Sequence, residues 1–464
     1  MKSFFLWVFV AATVIHAGET CALDRKCSEP SDDPDIAISA CTRAIESGNL
    51  KGKELATAFL SRGNAWYEKG DFDRAVSNFD SALEADPRFA EAYNKRGNAR
   101  YSKGQDTVAI ADFDAAIKIN PEYAEAYNNR GNVRAHMGDY NKAIADFDSA
   151  LKIDLQYASA YFNRGNAWYK KGDYDKAISD FDTVIQIYPK FAIPYNYRGF
   201  LWAMKGDYAR AVKDYNAAIS INPKYAVAYF NRGLLRKRQG DDGNAISDFD
   251  AAIKISPQYA EAYNYRGTSW SDKGDHKRAM LDFDSAVSID PQYADAYNNR
   301  GFAQTLQGND DLALKDFDMS LRIEPDFAIA HGNRGRILFN RGQFQQAAAD
   351  FAEAARLKPD SYSAIWLYLA HARSGADTRG DLDIQSQGQW TPLVQNLFTG
   401  KITPEALLTS AKNRDQHCEA NFYAGEWELL HKNTGKARSL FVKAKTICPK
   451  EFIEYIEATA ELKR

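Results

Sequence analysis

The chain has 464 residues, of which 45% are apolar and 26% charged, and its net charge is −3. This is enough apolar material to fold, and enough length for several ordinary domains or one long repeat array. The near-neutral balance argues against a nucleic-acid binder, which carries a basic face.

The N-terminus reads MKSFFLWVFVAATVIHAGET. Lys2 is a charged start, Phe4 to Ile15 an apolar core, and Ala17 closes a small-residue cleavage signal. We read residues 1–17 as a secretory signal peptide, too short for a comfortable membrane span; an uncleaved anchor is the competing reading. Export to the periplasm or the outside follows. Cys21 is preceded by Glu19 and Thr20, not by the small residues of a lipid-attachment signal, so no lipid is expected. No later segment approaches eighteen consecutive apolar residues, so no integral membrane segment is expected after signal cleavage. Residues 18–55 form a leader and a capping helix. Within them DIAISACTRAI, residues 35–45, reads as the second helix of a unit whose first helix is missing.

The next 306 residues, 56–361, are periodic. A glycine follows an arginine at Gly63, Gly97, Gly131 and onward to Gly335, always 34 residues apart. A second glycine follows each by seven residues (Gly70, Gly104, Gly138), an alanine comes five later (Ala75, Ala109, Ala143), then an aromatic (Phe79, Phe113, Phe147) and a small residue. Proline closes most units, as at Pro87 and Pro121, although the third has Leu155. The second glycine permits a turn with positive φ, and the Asp after it, as in GDYNKA, can cap the following helix. Ala143, Phe147 and Ala150 are four and three apart and share one helix face. Small residues let two helices approach, and the aromatic fills the wedge between them. The pattern is a helix–turn–helix of 34 residues, and it resembles the tetratricopeptide repeat (TPR) nine times over. The resemblance implies an all-α solenoid, a right-handed superhelix of helical hairpins.

An arginine stands where such repeats usually carry leucine: Arg62, Arg96, Arg130, Arg164, Arg198, Arg232, Arg266, Arg300 and Arg334. An aspartate recurs on the second helix, from Asp112, Asp146 and Asp180 to Asp350. We expect each arginine to pair with an aspartate inside the stack and to cover the aromatic with its stem, a structural joint. In the resembling family the second, fifth, ninth, twelfth and thirteenth positions line a concave groove. Carried onto this chain, the fifth gives Asn94, Asn128, Asn196, Asn264 and Asn298, and the ninth Asn64, Asn98, Asn132 and Asn166. The twelfth gives Tyr67, Tyr101 and Tyr169. Amides beside phenols suit an extended peptide, because they meet both its N–H and its C=O groups. A merely solvated face is the bland alternative. Lys95 is a candidate for clamping a carboxylate, but Glu91 and Glu125 at the second position oppose that role. Later ninth positions turn apolar or mixed (Leu234, Thr268, Phe302), and Phe162 and Phe230 at the fifth position are either anchors or packing residues.

After Pro359 the helix SYSAIWLYLAHARSG leads into an irregular helical linker region, residues 362–417, which includes a probable helix at ITPEALLTSAKN. Residues 418–464 restore the pattern with Gly425, Ala437, Phe441, Ala444 and Pro449, and give a final TPR-like hairpin and a capping helix. Five cysteines fall at 21, 27, 41, 418 and 448. Export permits disulfides, and Cys27–Cys41 and Cys418–Cys448 are the expected pairs; Cys41 and Cys448 as plain buried thiols are the alternative. No histidine stands near them at ligand spacing, so neither a metal nor a cofactor is expected. The tail, with AIWLYLA, Trp390, Pro392, Gly400 and Lys401, is similar in layout to NlpI-type periplasmic TPR adaptors. That likeness implies a scaffold for envelope proteases or cell-wall hydrolases. The scattered histidines and the lack of a Gly-rich phosphate loop leave no catalytic set. The reading is a non-enzymatic periplasmic scaffold whose groove holds protein or peptide, with peptidoglycan or its enzymes as candidate partners. The alternative is a cell-wall glycan-associated protein acting in envelope maintenance.

Overall fold

The computed structural model describes Cys27 and residues 33–383, 390–450 and 452–464. The signal peptide expected at 1–17 and Cys21 lie outside the described residues. The secondary structure described is entirely helical, and the chain divides into two compact units after Ile221.

The first unit opens with α1 (Pro34–Glu46) and continues as five hairpins. These are α2 (Gly52–Glu68) with α3 (Phe72–Ala85), α4 (Ala90–Ser102) with α5 (Asp106–Ile119), and α6 (Ala124–His136) with α7 (Tyr140–Ile153). Then come α8 (Ala158–Lys170) with α9 (Tyr174–Ile187), and α10 (Ala192–Met204) with α11 (Tyr208–Ile221). The second unit begins with α12 (Ala226–Arg238) and α13 (Asp242–Ile255), α14 (Ala260–Asp272) and α15 (His276–Ile289). It adds α16 (Ala294–Leu306) with α17 (Asp310–Ile323) and α18 (Ala328–Asn340) with α19 (Phe344–Leu357). Its tail holds α20 (Ser361–Ser374), the short α21 (Thr391–Phe398) and α22 (Pro404–Ser410), a last hairpin α23 (Arg414–Leu430) and α24 (Thr434–Ile447), and α25 (Ile453–Lys463). Each unit is a stack of hairpins, the α-solenoid expected of the repeat.

The repeat pattern maps onto this directly. Each of the nine repeat hairpins turns at a glycine in the left-handed region, as at Gly138 with φ 82°, where a β-carbon would be strained; the last hairpin has Lys432 there, with φ 65°. The Asp that follows caps the second helix: Asp139 accepts from the Lys142 amide at 3.2 Å and Asp275 from the Arg278 amide at 3.1 Å. Between hairpins the proline occupies a tight turn; Phe89 N–H donates to Asp86 C=O at 3.2 Å across Pro87, a position where its fixed φ is already suitable. The glycine of Asn-Arg-Gly has a separate cause. A β-carbon on Gly131 would lie 2.7 Å from Phe147 Cε1, and one on Gly63 2.6 Å from Phe79 Cε1. The aromatic of the second helix therefore rests on bare backbone of the first, and Phe79, Phe113, Phe147 and Phe181 are fully buried there.

The last hairpin repeats the device, with Gly425 under Phe441 at 2.7 Å. Its ends are joined by the Cys418–Cys448 disulfide, and Cys27 is bonded to Cys41 on α1. Trp366 of α20 is buried between Phe339, Phe351 and Phe422, which welds the tail to the last repeats of the second unit.

Candidate functional site

The arginine of each repeat sits between two second helices. Arg130 donates Nη2 to Asp146 of its own hairpin at 2.6 Å and Nη1 to Asp114 of the preceding hairpin at 2.5 Å. Arg96, Arg164, Arg198, Arg266, Arg300 and Arg334 make the same two contacts sixteen residues to either side, at 2.5–2.9 Å. Arg232 pairs with Asp248 at 2.6 Å. Each guanidinium also lies over an aromatic three residues earlier, as Arg130 over Tyr127 at 5.4 Å, so the stem covers the ring while the fork holds the acids. Arg334 has His331 there instead, and His331 Nδ1 lies 2.9 Å from Asp350. Arg62, in the first hairpin, bonds Asn78 at 2.7 Å and Thr42 on α1 at 3.1 Å. The second acid of each pair (Asp80, Asp114, Asp148, Asp182, Asp250, Asp284, Asp318) went unassigned in the sequence, although the D-F-D spacing carries it.

The structure separates the expected groove asparagines into two sets. Those at the fifth position are inside the stack: Asn94, Asn128, Asn196, Asn264 and Asn298 are 0–5% exposed. Asn94 accepts from Asn129 of the next first helix at 3.0 Å and donates to Tyr123 Oη and Glu125, each at 3.1 Å. Asn128 accepts from Asn163 at 3.0 Å, Asn264 from Asn299 at 3.0 Å, and Asn298 from Asn333 at 2.8 Å. These carboxamides form buried rungs between successive first helices, because a buried amide must be paired; the open amide surface expected at these five positions is not there. Phe162 and Phe230 occupy the same fifth position and do the same work with rings. Phe162 meets Tyr197 at 5.2 Å and Phe230 meets Tyr265 at 5.7 Å between centroids. Both pack within the stack.

The ninth-position set is different. Asn64, Asn98, Asn132 and Asn166 are half-buried on α2, α4, α6 and α8, and their side chains make no hydrogen bond among the described residues. The twelfth-position rings stand one turn further along the same helices. Tyr67 Oη lies 3.1 Å from Ser102 Oγ, Tyr101 packs edge-on against His136 at 5.6 Å, and Tyr169 against Phe200 at 5.6 Å. Burial raises the Tyr101 phenol above its ordinary value, with Asp106 adding to it, so Tyr101 stays a neutral donor at physiological pH. Lys95 is engaged by Glu125 at 3.2 Å. Burial raises the Glu91 carboxyl, against the lowering influence of Lys95. A lysine already held by a carboxylate is a poor clamp for a second one. Among the described residues no group of His, Cys, Asp and Glu is arranged to hold a metal ion, and no helix is long and apolar enough to cross a membrane.

Family models described as TPR repeat match residues 63–104, 97–138, 131–172, 203–240 and 271–308. Models described as tetratricopeptide repeat match 158–191, 226–259, 294–327 and 328–361. No curated protein matches the chain. Among solved structures, one of MamA is 30% identical over 35% of this chain and 96% of its own, with a TM-score of 0.33. One of YrrB, titled a TPR protein with an unusual peptide-binding site, is 26% identical over 40% of this chain and 95% of its own, with a TM-score of 0.34. A tetratricopeptide repeat protein from Parabacteroides merdae is 21% identical over 56% of this chain and 98% of its own, with a TM-score of 0.43.

Proposed function

The chain belongs to the tetratricopeptide-repeat family, whose fold is typically a non-catalytic protein-interaction scaffold, and on that premise we propose that it is an exported adaptor. It holds an extended segment of a partner protein along the first helices of its first unit. One observation carries this reading. Of the asparagines on those helices, Asn64, Asn98, Asn132 and Asn166 are left half-exposed and without a hydrogen-bond partner among the described residues, one in each of the first four hairpins. A carboxamide offers a donor and an acceptor together, which is what an extended backbone requires of a surface. The apolar leader at 1–17 and the two disulfides support an oxidising, extracytoplasmic setting. The layout of the tail, similar to NlpI-type adaptors, supports envelope proteases or cell-wall hydrolases as clients.

The test is a crosslinked pull-down from the exported fraction with the chain from Gly18 as bait. The control bait carries Asn64, Asn98, Asn132 and Asn166 changed to alanine. Since these side chains make no hydrogen bond among the described residues, the control should keep its helicity and lose the partner. Equal capture by both baits refutes the groove. Retention of both on purified peptidoglycan, with no protein enriched, supports the glycan-associated alternative, in which the amides and Tyr67, Tyr101 and Tyr169 meet sugar.

A further inference from the structure

The fifth position of the first helix is filled by asparagine or phenylalanine from Asn94 to Asn298; Asn94, Asn128, Asn264 and Asn298 bond to the next first helix, and Phe162 and Phe230 pack on it. At α18 the same position is Gly332, and a β-carbon built there meets nothing within 4 Å. The missing rung leaves a cavity of ≈ 340 Å³ between α18, α19, α20, α23 and α25, all within the second unit. That size is at the lower end of ligand pockets, about 300–1,000 Å³. Phe351, Tyr362 and Trp366 supply aromatic walls.

Its polar wall is short of positive charge. Glu419 of α23 is fixed through one oxygen, Oε2, which accepts from Trp390 Nε1 at 3.0 Å and from Tyr362 Oη at 2.9 Å. Its other oxygen has no partner among the described residues. Glu454 of α25 is 8% exposed and lines the cavity, and its only side-chain hydrogen bond to another side chain among the described residues is a long one, accepted from Tyr423 Oη at 3.5 Å. Glu457, one turn on, is buried with Oε2 unpartnered. No lysine or arginine nitrogen of the described residues lies within ion-pair distance of any of the three. Arg336 faces Glu454 and Glu457 from α18 but is hydrogen-bonded to Asn333. The neighbouring Arg373 and Arg464 are taken up by Glu426 and Glu461. At the rim, Lys358 is exposed and Asp360 caps α20. Arg336 acts on Glu454 and Glu457 and Arg464 on Glu457, both without direct contact, and neither is paired with Glu419. Burial, and then Glu419, push Glu454 up to about 7; burial pushes Glu457 up to about 8 against Arg336. Among the described residues these acids have no counter-charge in direct contact.

We propose that this cavity is a receptor for one primary ammonium group on an apolar stem, with Glu454 and the free oxygen of Glu419 taking the charge and Trp366 and Phe351 the stem. The chemistry fits the side chain of a lysine on a bound protein, or a free alkylamine. The proposal stands apart from the asparagine row, which is in the other unit.

The experiment is calorimetric titration of the full chain at about pH 8.5, where the acids are ionised and an ammonium is still charged. The probes are Nα-acetyl-lysine methylamide, its neutral norleucine analogue and n-butylamine. The lysine probe should bind and the norleucine probe should not. Glu454→Gln keeps the shape, removes a buried charge and should weaken lysine binding by about tenfold or more, as expected for the loss of a charge-assisted hydrogen bond. Gly332→Leu should abolish binding by filling the cavity, while helicity is unchanged. A lysine probe that binds more tightly than butylamine supports a protein side chain as the natural occupant, and equal binding supports a small amine. Equal binding of the lysine and norleucine probes, no binding of either amine, or an unaltered affinity in Glu454→Gln overturns the proposal.

Discussion

The arginine joints are not equivalent, and the difference can be measured. The buried acid of a hairpin has two arginines in some repeats and one in others. Asp146 is held by Arg130 at 2.6 Å and also by Arg134 at 2.7 Å. Among the described residues Asp180 is paired with Arg164 alone, since Trp168 stands where Arg134 stands one repeat earlier. Both acids are nearly fully buried, with side chains 4% and 6% exposed. Burial raises the Asp180 carboxyl above its ordinary value even though Arg164 lowers it. Replacing Arg164 with alanine strands a buried carboxylate, a loss of about 3–5 kcal/mol. Replacing Arg130 leaves Arg134 in place, and the loss should be about 1–2 kcal/mol, that of one charged hydrogen-bonded contact and its packing. The outer partners Asp114 and Asp148, roughly half exposed, add little to either figure. Urea unfolding followed by circular dichroism gives both numbers on one protein. Without Arg164 the Asp180 pKa rises further, so the deficit of that variant should shrink as the pH falls and the acid takes its proton. Equal losses for the two variants, or an Arg164 deficit independent of pH, would refute the reasoning.

Two further outcomes follow from the tail. Glu454 and Glu457 bind protons more tightly in the folded chain than in the unfolded one. The stability this confers is complete below about pH 4.5 and is lost as pH rises through about 7 and about 8, at up to about 1.4 kcal/mol per pH unit for each group. Glu457→Gln should flatten that dependence and raise the urea midpoint of the tail near pH 9; a midpoint lower than the parent's there would contradict the assignment. Reducing Cys418–Cys448 opens a loop of 30 residues and should cost the last hairpin about 3–4 kcal/mol. Hydrogen exchange should show faster opening of α23 to α25 on reduction, and an unchanged rate would mean that the hairpin stands on packing alone.

The helices and their turns were legible because the period repeats the same local chemistry: Gly138, Asp139 and Phe147 each recur with one purpose. The inner half of the arginine joint was legible too, since Arg130 and Asp146 belong to one repeat. Asp114 was not, because its partner lies in the following repeat and a unit-by-unit alignment does not set the two side by side. The same limitation misplaced the fifth-position asparagines. Taken alone, Asn94 is a polar residue on a groove face; only beside Asn129, 35 residues on, is it half of a buried rung. Where the fifth position is Phe162 or Phe230, the sixth of the next repeat is Tyr197 or Tyr265. The matching of polar with polar and ring with ring was present in the sequence, offset by one repeat. In the tail the period is broken, so neither the seat of Glu419 against Trp390 nor the cavity beside Gly332 could be placed without coordinates.

That matching also addresses a hazard of identical repeats, which is that any hairpin could stack on any other. A carboxamide buried against a ring leaves its polar atoms unpaired, at about 1–3 kcal/mol. The first unit allows this to be tested with two deletions of one repeat each. Removing residues 124–157 brings α4 onto α8 and sets Asn94 opposite Asn163, a matched rung, at the loss of the Glu125 contact. Removing residues 158–191 brings α6 onto α10 and sets Asn128 opposite Tyr197, a mismatch. The arginine joint survives in both, because Arg164 would meet Asp114 in the first and Arg198 would meet Asp148 in the second. The two variants have equal length but lose different contacts, so Asn163→Tyr in the matched deletion, which sets Asn94 opposite a ring in one background, isolates the rung. The matched deletion should be more stable than this substituted form by about 1–3 kcal/mol. If the substituted form is as stable as the matched deletion, the fifth and sixth positions carry no pairing information, and the buried asparagines are tolerated rather than selective.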